Sequence, residues 1–144
     1  MLRYIIIFYF LLFSSLLCEE YFLTLRNDKT NLRLGPSFDY PIKIIYKKKY
    51  LPVLVKDKSE NFRKIQDHEN NSGWVHISQL SKKKAVLALD DMILFKRPTL
   101  YSKPLARIQK GRLLVISSCR NKWCKIKTNK YSGWIEKNNI WGKI

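Results

Sequence analysis

After its first twenty residues the chain spells nearly the same pattern twice. At an offset of 62 residues Leu25 meets Leu87, Asp28 meets Asp90, Leu32 meets Leu94 and Pro36 meets Pro98; Leu51-Pro52-Val53 meets Leu113-Leu114-Val115. The offset is 61 where Phe62-Arg63-Lys64-Ile65 meets Trp123-Cys124-Lys125-Ile126. It is 60 where Ser72-Gly73-Trp74-Val75 meets Ser132-Gly133-Trp134-Ile135. Slips of one residue are what changes in hairpin loop length produce. A repeat of about sixty residues within 144 confines the chain to two small units and excludes a large multidomain enzyme.

Each unit reads as short strands divided by turns. In the first, residues 22–25 and 31–34 flank the turn Asn27-Asp28-Lys29, and Gly35-Pro36-Ser37 breaks the chain before 42–45, 51–55, 62–65 and 74–77. The second repeats this at 85–89, 92–96, 106–108, 113–117, 123–127 and 134–136. No stretch carries a helical period. So many short strands in so few residues predict an all-β chain of two small, partly open barrels, bounded at 19–81 and 82–144. A unit of this size buries only about 60% of its unfolded surface, so docking of the two would support both.

Residues 1–18 have a different character. Arg3 precedes an apolar run, residues 4–17, interrupted by Ser14 and Ser15, and charge returns at Glu19 and Glu20. That is the shape of a secretory signal, and the run is shorter than the roughly 18 apolar residues of a spanning helix. Leu16 and Cys18 stand where small residues usually precede a cleavage site, so an uncleaved anchor stays open. Acylation at Cys18 is the third reading, opposed by Leu17 before it, where a lipidation motif wants a small residue. A periplasmic or secreted protein is the expectation.

Export bears on the cysteines. Cys119 and Cys124 face each other across the tip Arg120-Asn121-Lys122-Trp123, and in an oxidising compartment such a pair is a disulfide candidate. Two His and three Cys in the whole chain leave little material for a metal site, and no cofactor is expected. A catalytic Cys needs a His within reach, and His68 and His76 both belong to the other unit; His76, alternating with Val75 and Ile77, is read as facing solvent. No catalytic residue is assigned.

The run Asn31-Leu32-Arg33-Leu34-Gly35-Pro36-Ser37, then Tyr40-Pro41, then Gly73-Trp74-Val75-His76 resembles the signature of bacterial SH3-like domains. Over residues 21–144 the chain is similar to exported tandem-SH3 proteins of Gram-negative bacteria. There the second unit ends in a Trp-Cys strand, a Gly-Trp strand and a closing Trp-Gly; here these are Trp123-Cys124, Gly133-Trp134 and Ile140-Trp141-Gly142. The second unit departs from the pattern, with Lys96-Arg97-Pro98 in place of Leu-Gly-Pro. If the glycine supplies a positive φ, this loop should take a different course. The resemblance implies a non-enzymatic binding role, with cell wall, peptide or another envelope protein as partner.

A groove of this kind grips extended ligands through exposed aromatics. Phe38, Tyr40 and Tyr101, in the loop after the proline turn, together with Tyr46 and Tyr131, are the candidate ligand-binding residues. Trp74 and Trp134, each following a glycine in a strand, are read as core. Charge points to the partner's chemistry. The chain carries a net +17; residues 82–144 hold sixteen basic groups against three acidic, and residues 21–81 eleven against six. The second unit is therefore expected to face a polyanion. Peptidoglycan, an acidic envelope protein or peptide and anionic lipid headgroups are the candidates. Nucleic acid, which basic and aromatic residues on a small barrel could also hold, is the alternative for an anchored or cytoplasmic protein.

Overall fold

The computed structural model describes residues 18–143. Apart from Cys18, the expected signal segment lies outside these described residues. The first unit contains β1 (Tyr21–Leu25), β2 (Thr30–Arg33), β3 (Ile42–Tyr46), β4 (Pro52–Ser59), β5 (Phe62–Gln66), β6 (Ser72–His76) and β7 (Leu80–Ser81). The second contains β8 (Ala85–Ala88), β9 (Met92–Phe95), β10 (Pro104–Ile108), β11 (Leu113–Arg120), β12 (Trp123–Lys127), β13 (Ser132–Glu136) and β14 (Ile140–Trp141). Each set forms a seven-stranded antiparallel sheet, ordered β3-β2-β6-β5-β4-β1-β7 and β10-β9-β13-β12-β11-β8-β14. One order is the other with seven added, so the sequence repeat is a duplicated SH3-like barrel. The pair β7 and β14, two residues each, is too short to show an alternation and escapes a reading by periodicity.

The curl of each sheet comes from matched irregularities. Lys43 in β3 and Leu105 in β10 are skipped by the register, as are Lys56 in β4 and Ser117 in β11. An extra residue on one strand bends it and deepens its twist, which lets a narrow sheet fold over on itself. At the corner where β6 meets β2, Gly73 admits close approach: a Cβ there would lie 2.7 Å from the Arg33 carbonyl oxygen. Gly133 does the same against Phe95, at 2.6 Å. Inside the curl, Leu25, Leu32, Val53, Val55, Ile65 and Val75 pack together in the first unit. Leu94, Leu114, Ile116, Cys124, Ile126 and Ile135 do so in the second.

The strand pairings also correct the sequence alignment. Thr24 opposite Pro52 corresponds to Leu87 opposite Leu113, so the true offset is 63 in β1 and 61 in β4. Leu25 therefore matches Ala88, not Leu87. A slip of one residue exchanges the faces of a strand. Accordingly Leu25 lies inside its own barrel, whereas Leu87 packs across the seam onto the first core. Leu87, Leu113 and Trp141 occupy the places held by Thr24, Pro52 and Ser81, and the two units dock through these equivalent strands. Trp141 closes the seam: its indole N–H donates to the Pro52 carbonyl at 2.9 Å, and its ring meets Phe22 edge-on at 5.1 Å.

Candidate ligand-binding face

The outer face of each sheet is built by cross-strand neighbours. Arg33, Trp74 and Lys64 stand side by side across β2, β6 and β5; Phe95, Trp134 and Lys125 do so across β9, β13 and β12. Neighbouring Val75 and Ile135 point inward and are fully buried. Alternation then turns the two tryptophans outward, where both are half-buried. The core reading of Trp74 and Trp134 is thus corrected. In Ser-Gly-Trp-Val the inward phase contains a glycine and a valine, so apolar size alone points to the wrong face.

In the first unit the loop after β2 folds down onto this face. Phe38 meets Phe62 edge-on at 5.2 Å and lies tilted against His76 at 5.1 Å, with the Arg33 guanidinium 5.4 Å from its ring centre. Arg33 also donates to the carbonyls of Phe38, at 3.2 Å, and Tyr40, at 2.9 Å, tying the loop to the strand it leaves. Phe38 keeps 62% of its surface exposed while Phe62 beneath it keeps 6%. His76, expected to face solvent, is half-covered here, its Nδ1 2.7 Å from the Ser78 hydroxyl.

The corresponding loop in the second unit takes the same course, contrary to expectation. Leu34, Ser37 and Tyr40 donate to Pro41, Gly35 and Ser37; Lys96, Thr99 and Ser102 donate to Lys103, Arg97 and Thr99 in the same order. Gly35 is not among the residues with positive φ. It is small for another reason: a Cβ there would sit 2.5 Å from the Tyr40 ring. Where Arg97 brings a Cβ, Ser102 replaces the tyrosine, and its hydroxyl accepts the Arg97 N–H at 2.8 Å. The backbone is shared, and its decoration differs. Tyr101 stands fully exposed at the loop tip, and Phe95, in place of Arg33, meets Trp123 edge-on at 5.6 Å. Arg120 reaches over Trp134, 5.2 Å from the ring centre.

The remaining candidates are dispersed. Tyr40 lies over Gly35 with 47% of its surface exposed. Tyr131, half-exposed, sits at the β12–β13 turn, where its N–H donates to the Thr128 hydroxyl at 2.9 Å. Tyr46 is committed elsewhere: it packs on the first core and donates its hydroxyl to Asp67 at 2.8 Å. Burial and the neighbouring Asp67 carboxylate push the Tyr46 hydroxyl far above its ordinary pKa. Asp67 in turn accepts N–H bonds from Glu69 and Asn71, both at 2.9 Å, and from the Asn71 side chain at 3.0 Å. Burial alone would raise its pKa, but the bonds from Asn71, Tyr46 and Glu69 outweigh that and hold it below the ordinary value. Cys119 and Cys124 are directly opposed across β11 and β12 and form a disulfide. Neither is then a nucleophile. Among the described residues no group of three His, Cys, Asp or Glu side chains could hold a metal ion.

The sequence profile of the bacterial SH3 domain matches residues 26–82 and again residues 89–142. The chain belongs to the bacterial SH3 domain family. No curated protein matches it. Among solved structures it is similar to NlpC2 from Trichomonas vaginalis, at 9% identity and a TM-score of 0.40, covering 87% of this chain and 49% of that one. It is also similar to NlpC1 from the same organism, at 12% identity and a TM-score of 0.39, covering 90% and 48%. An NlpC/P60 family protein from Bacillus cereus matches at 15% identity and a TM-score of 0.37, covering 83% and 55%. The tandem SH3 chain thus spans about half the length of these structures.

In both SH3 units the residues that sequence reasoning missed are the outward strand residues, Arg33, Phe62 and Trp74 in one, Phe95, Trp123, Trp134 and Arg120 in the other. A signal for them existed. Arg33, Lys64, Lys125 and Arg120 lie at even spacings from, or directly across from, these aromatics, marking a mixed outer face rather than a core.

Proposed function

We propose that this protein is an exported, non-enzymatic adaptor. Its two SH3 units, residues 19–81 and 82–144 behind a signal segment 1–18, hold cell-wall peptide or another anionic component of the envelope. One observation carries the reading: in each unit a cation is stacked on an outward aromatic of the same sheet face, Arg33 on Phe38 and Arg120 on Trp134. Stacked rings grip the flat and apolar parts of an extended ligand, and the guanidinium supplies a fixed partner for its carboxylates. Tyr40, Tyr101 and Tyr131, exposed on the loops, are the further candidate contacts. The unequal charge adds salt-sensitive attraction at the second unit.

Retention on purified sacculi tests this. Trp134→Ala and Arg120→Ala should each lower retention by about tenfold, and rising salt should weaken it further. Unchanged, salt-insensitive retention overturns the reading. The stacked arginines also suit single-stranded nucleic acid. An oligonucleotide bound more tightly than wall peptide, by a full-length cytoplasmic chain, would favour that alternative. A mature periplasmic chain beginning near Glu19 would exclude it.

A further inference from the structure

A second place on the molecule has the properties of a site and shares no residue with the outer face. A cleft of about 350 Å³ opens along the seam between the units, within the size range of small-ligand sites. Phe22, Pro52 and Ala85 form its apolar floor, and Lys82, Lys83, Lys84 and Lys143 stand around it. Among the described residues no acidic side chain lines it. Four ammonium groups around one apolar trough repel each other and favour an anionic occupant.

The trough also contains unpaired backbone. Leu25 exchanges bonds with Tyr50 and Leu51 on the β4 side of β1, and Arg26 donates to Gln79 on the β7 side. Alternation along the strand then directs the N–H and C=O of Phe22 toward the β7 side. There β7 ends at Ser81, opposite Thr24. The residue that would face Phe22 is Lys83, but its carbonyl accepts the Thr24 hydroxyl at 2.9 Å, and no backbone bond joins Lys83 to Phe22. The Thr24 side chain has drawn the connecting chain off the sheet edge. Among the described residues, the Phe22 donor and acceptor therefore find no backbone partner and face a cleft edged with lysines.

We propose that the seam cleft binds an extended acidic peptide segment, which adds to the free edge of β1 at Phe22 and places carboxylates among Lys82, Lys83, Lys84 and Lys143. Strand addition supplies the affinity of main-chain bonds, and the lysines select acidic side chains at alternate positions. The proposal stands independently of the ligand face described above.

The probe is a fluorescent, N-acetylated Glu-Val-Glu-Val-Glu peptide titrated into the mature chain. Binding should fall about tenfold in the triple variant K82A/K83A/K84A, and less than about twofold in K125A/K127A/K130A, which removes equal charge from the outer face. Hydrogen exchange at the Phe22 amide should slow on binding. The same peptide N-methylated at all five residues should bind neither variant nor parent, since it keeps no N–H on either edge to pair with β1. Equal loss in both triple variants would reduce the effect to bulk charge and overturn the site. So would binding that leaves the Phe22 amide unprotected. Vesicles of anionic phospholipid that depend on Lys82–Lys84, with no binding of the peptide, would overturn it in favour of a headgroup site.

Discussion

The two units share strand order, bulges and loop backbone, yet they fasten their hairpins differently. The first ties its β5–β6 loop to a buried carboxylate, Asp67, which gathers Tyr46, Glu69 and Asn71. In the second, Thr128 stands in the equivalent place and collects the N–H groups of Lys130 and Tyr131. Its β11–β12 hairpin instead carries the Cys119–Cys124 disulfide, where the first unit pairs Lys58 with Arg63. One unit depends on ionisation and the other on oxidation. The same scaffold can thus fail under different conditions in its two halves.

What the units share should be the most costly to break. Gly73→Ala and Gly133→Ala each drive a Cβ against a backbone carbonyl across the sheet corner. About 3 kcal/mol of destabilisation is expected in either unit, read from urea unfolding. A mild effect in one of them would show that the corners are not equivalent. Asp67→Ala comes next, leaving the Tyr46 hydroxyl and the loop amides without their acceptor, at about 2–3 kcal/mol. Acid should mimic it. Because the folded pKa of Asp67 lies below its ordinary 3.8, its contribution is present above that value and is lost as pH falls through the folded pKa. Near-UV signals of the first unit should therefore soften in acid before those of the second, and Asp67→Ala should abolish the difference.

Reduction should act on the opposite half. The ring closed by Cys119 and Cys124 spans few residues, so its loss should cost about 2 kcal/mol, in the second unit alone. The unreduced protein should show no labelling of either thiol. The smallest effect sharpens the comparison within the shared loop. Gly35→Ala should cost about 1–2 kcal/mol by displacing the Tyr40 ring, and Tyr40→Ser in the same chain should restore most of it, reproducing the Arg97–Ser102 solution of the other unit. Additive losses would refute that coupling.

Much of this was legible in the chain. The duplicated turn and glycine pattern predicts two small all-β units. Strand spans agree within a residue or two, save that β4 and β11 run on past the bulges at Lys56 and Ser117. Cys119 and Cys124 are paired by proximity in sequence, which any hairpin honours. Exposed Phe38, Tyr40 and Tyr101 were recognisable because loop residues after a proline turn have little core to join. Tyr46 was not distinguishable from them, since its partner Asp67 is twenty-one residues away and meets it only when β3 curls over the β5–β6 loop.

Local chemistry therefore determined the fold class, the duplication, the disulfide and the charge imbalance: each depends on residues near in sequence or on composition. Which side of each strand turns inward depended on the whole sheet. Alternation says that Trp74 shares a face with Ser72 and His76, but only packing of Val75 against Leu32 and Ile65 turns that face outward. The seam is a tertiary decision for the same reason. Leu87, Leu113 and Trp141 are apolar wherever they point, and a register displaced by one residue sends them across to the other unit.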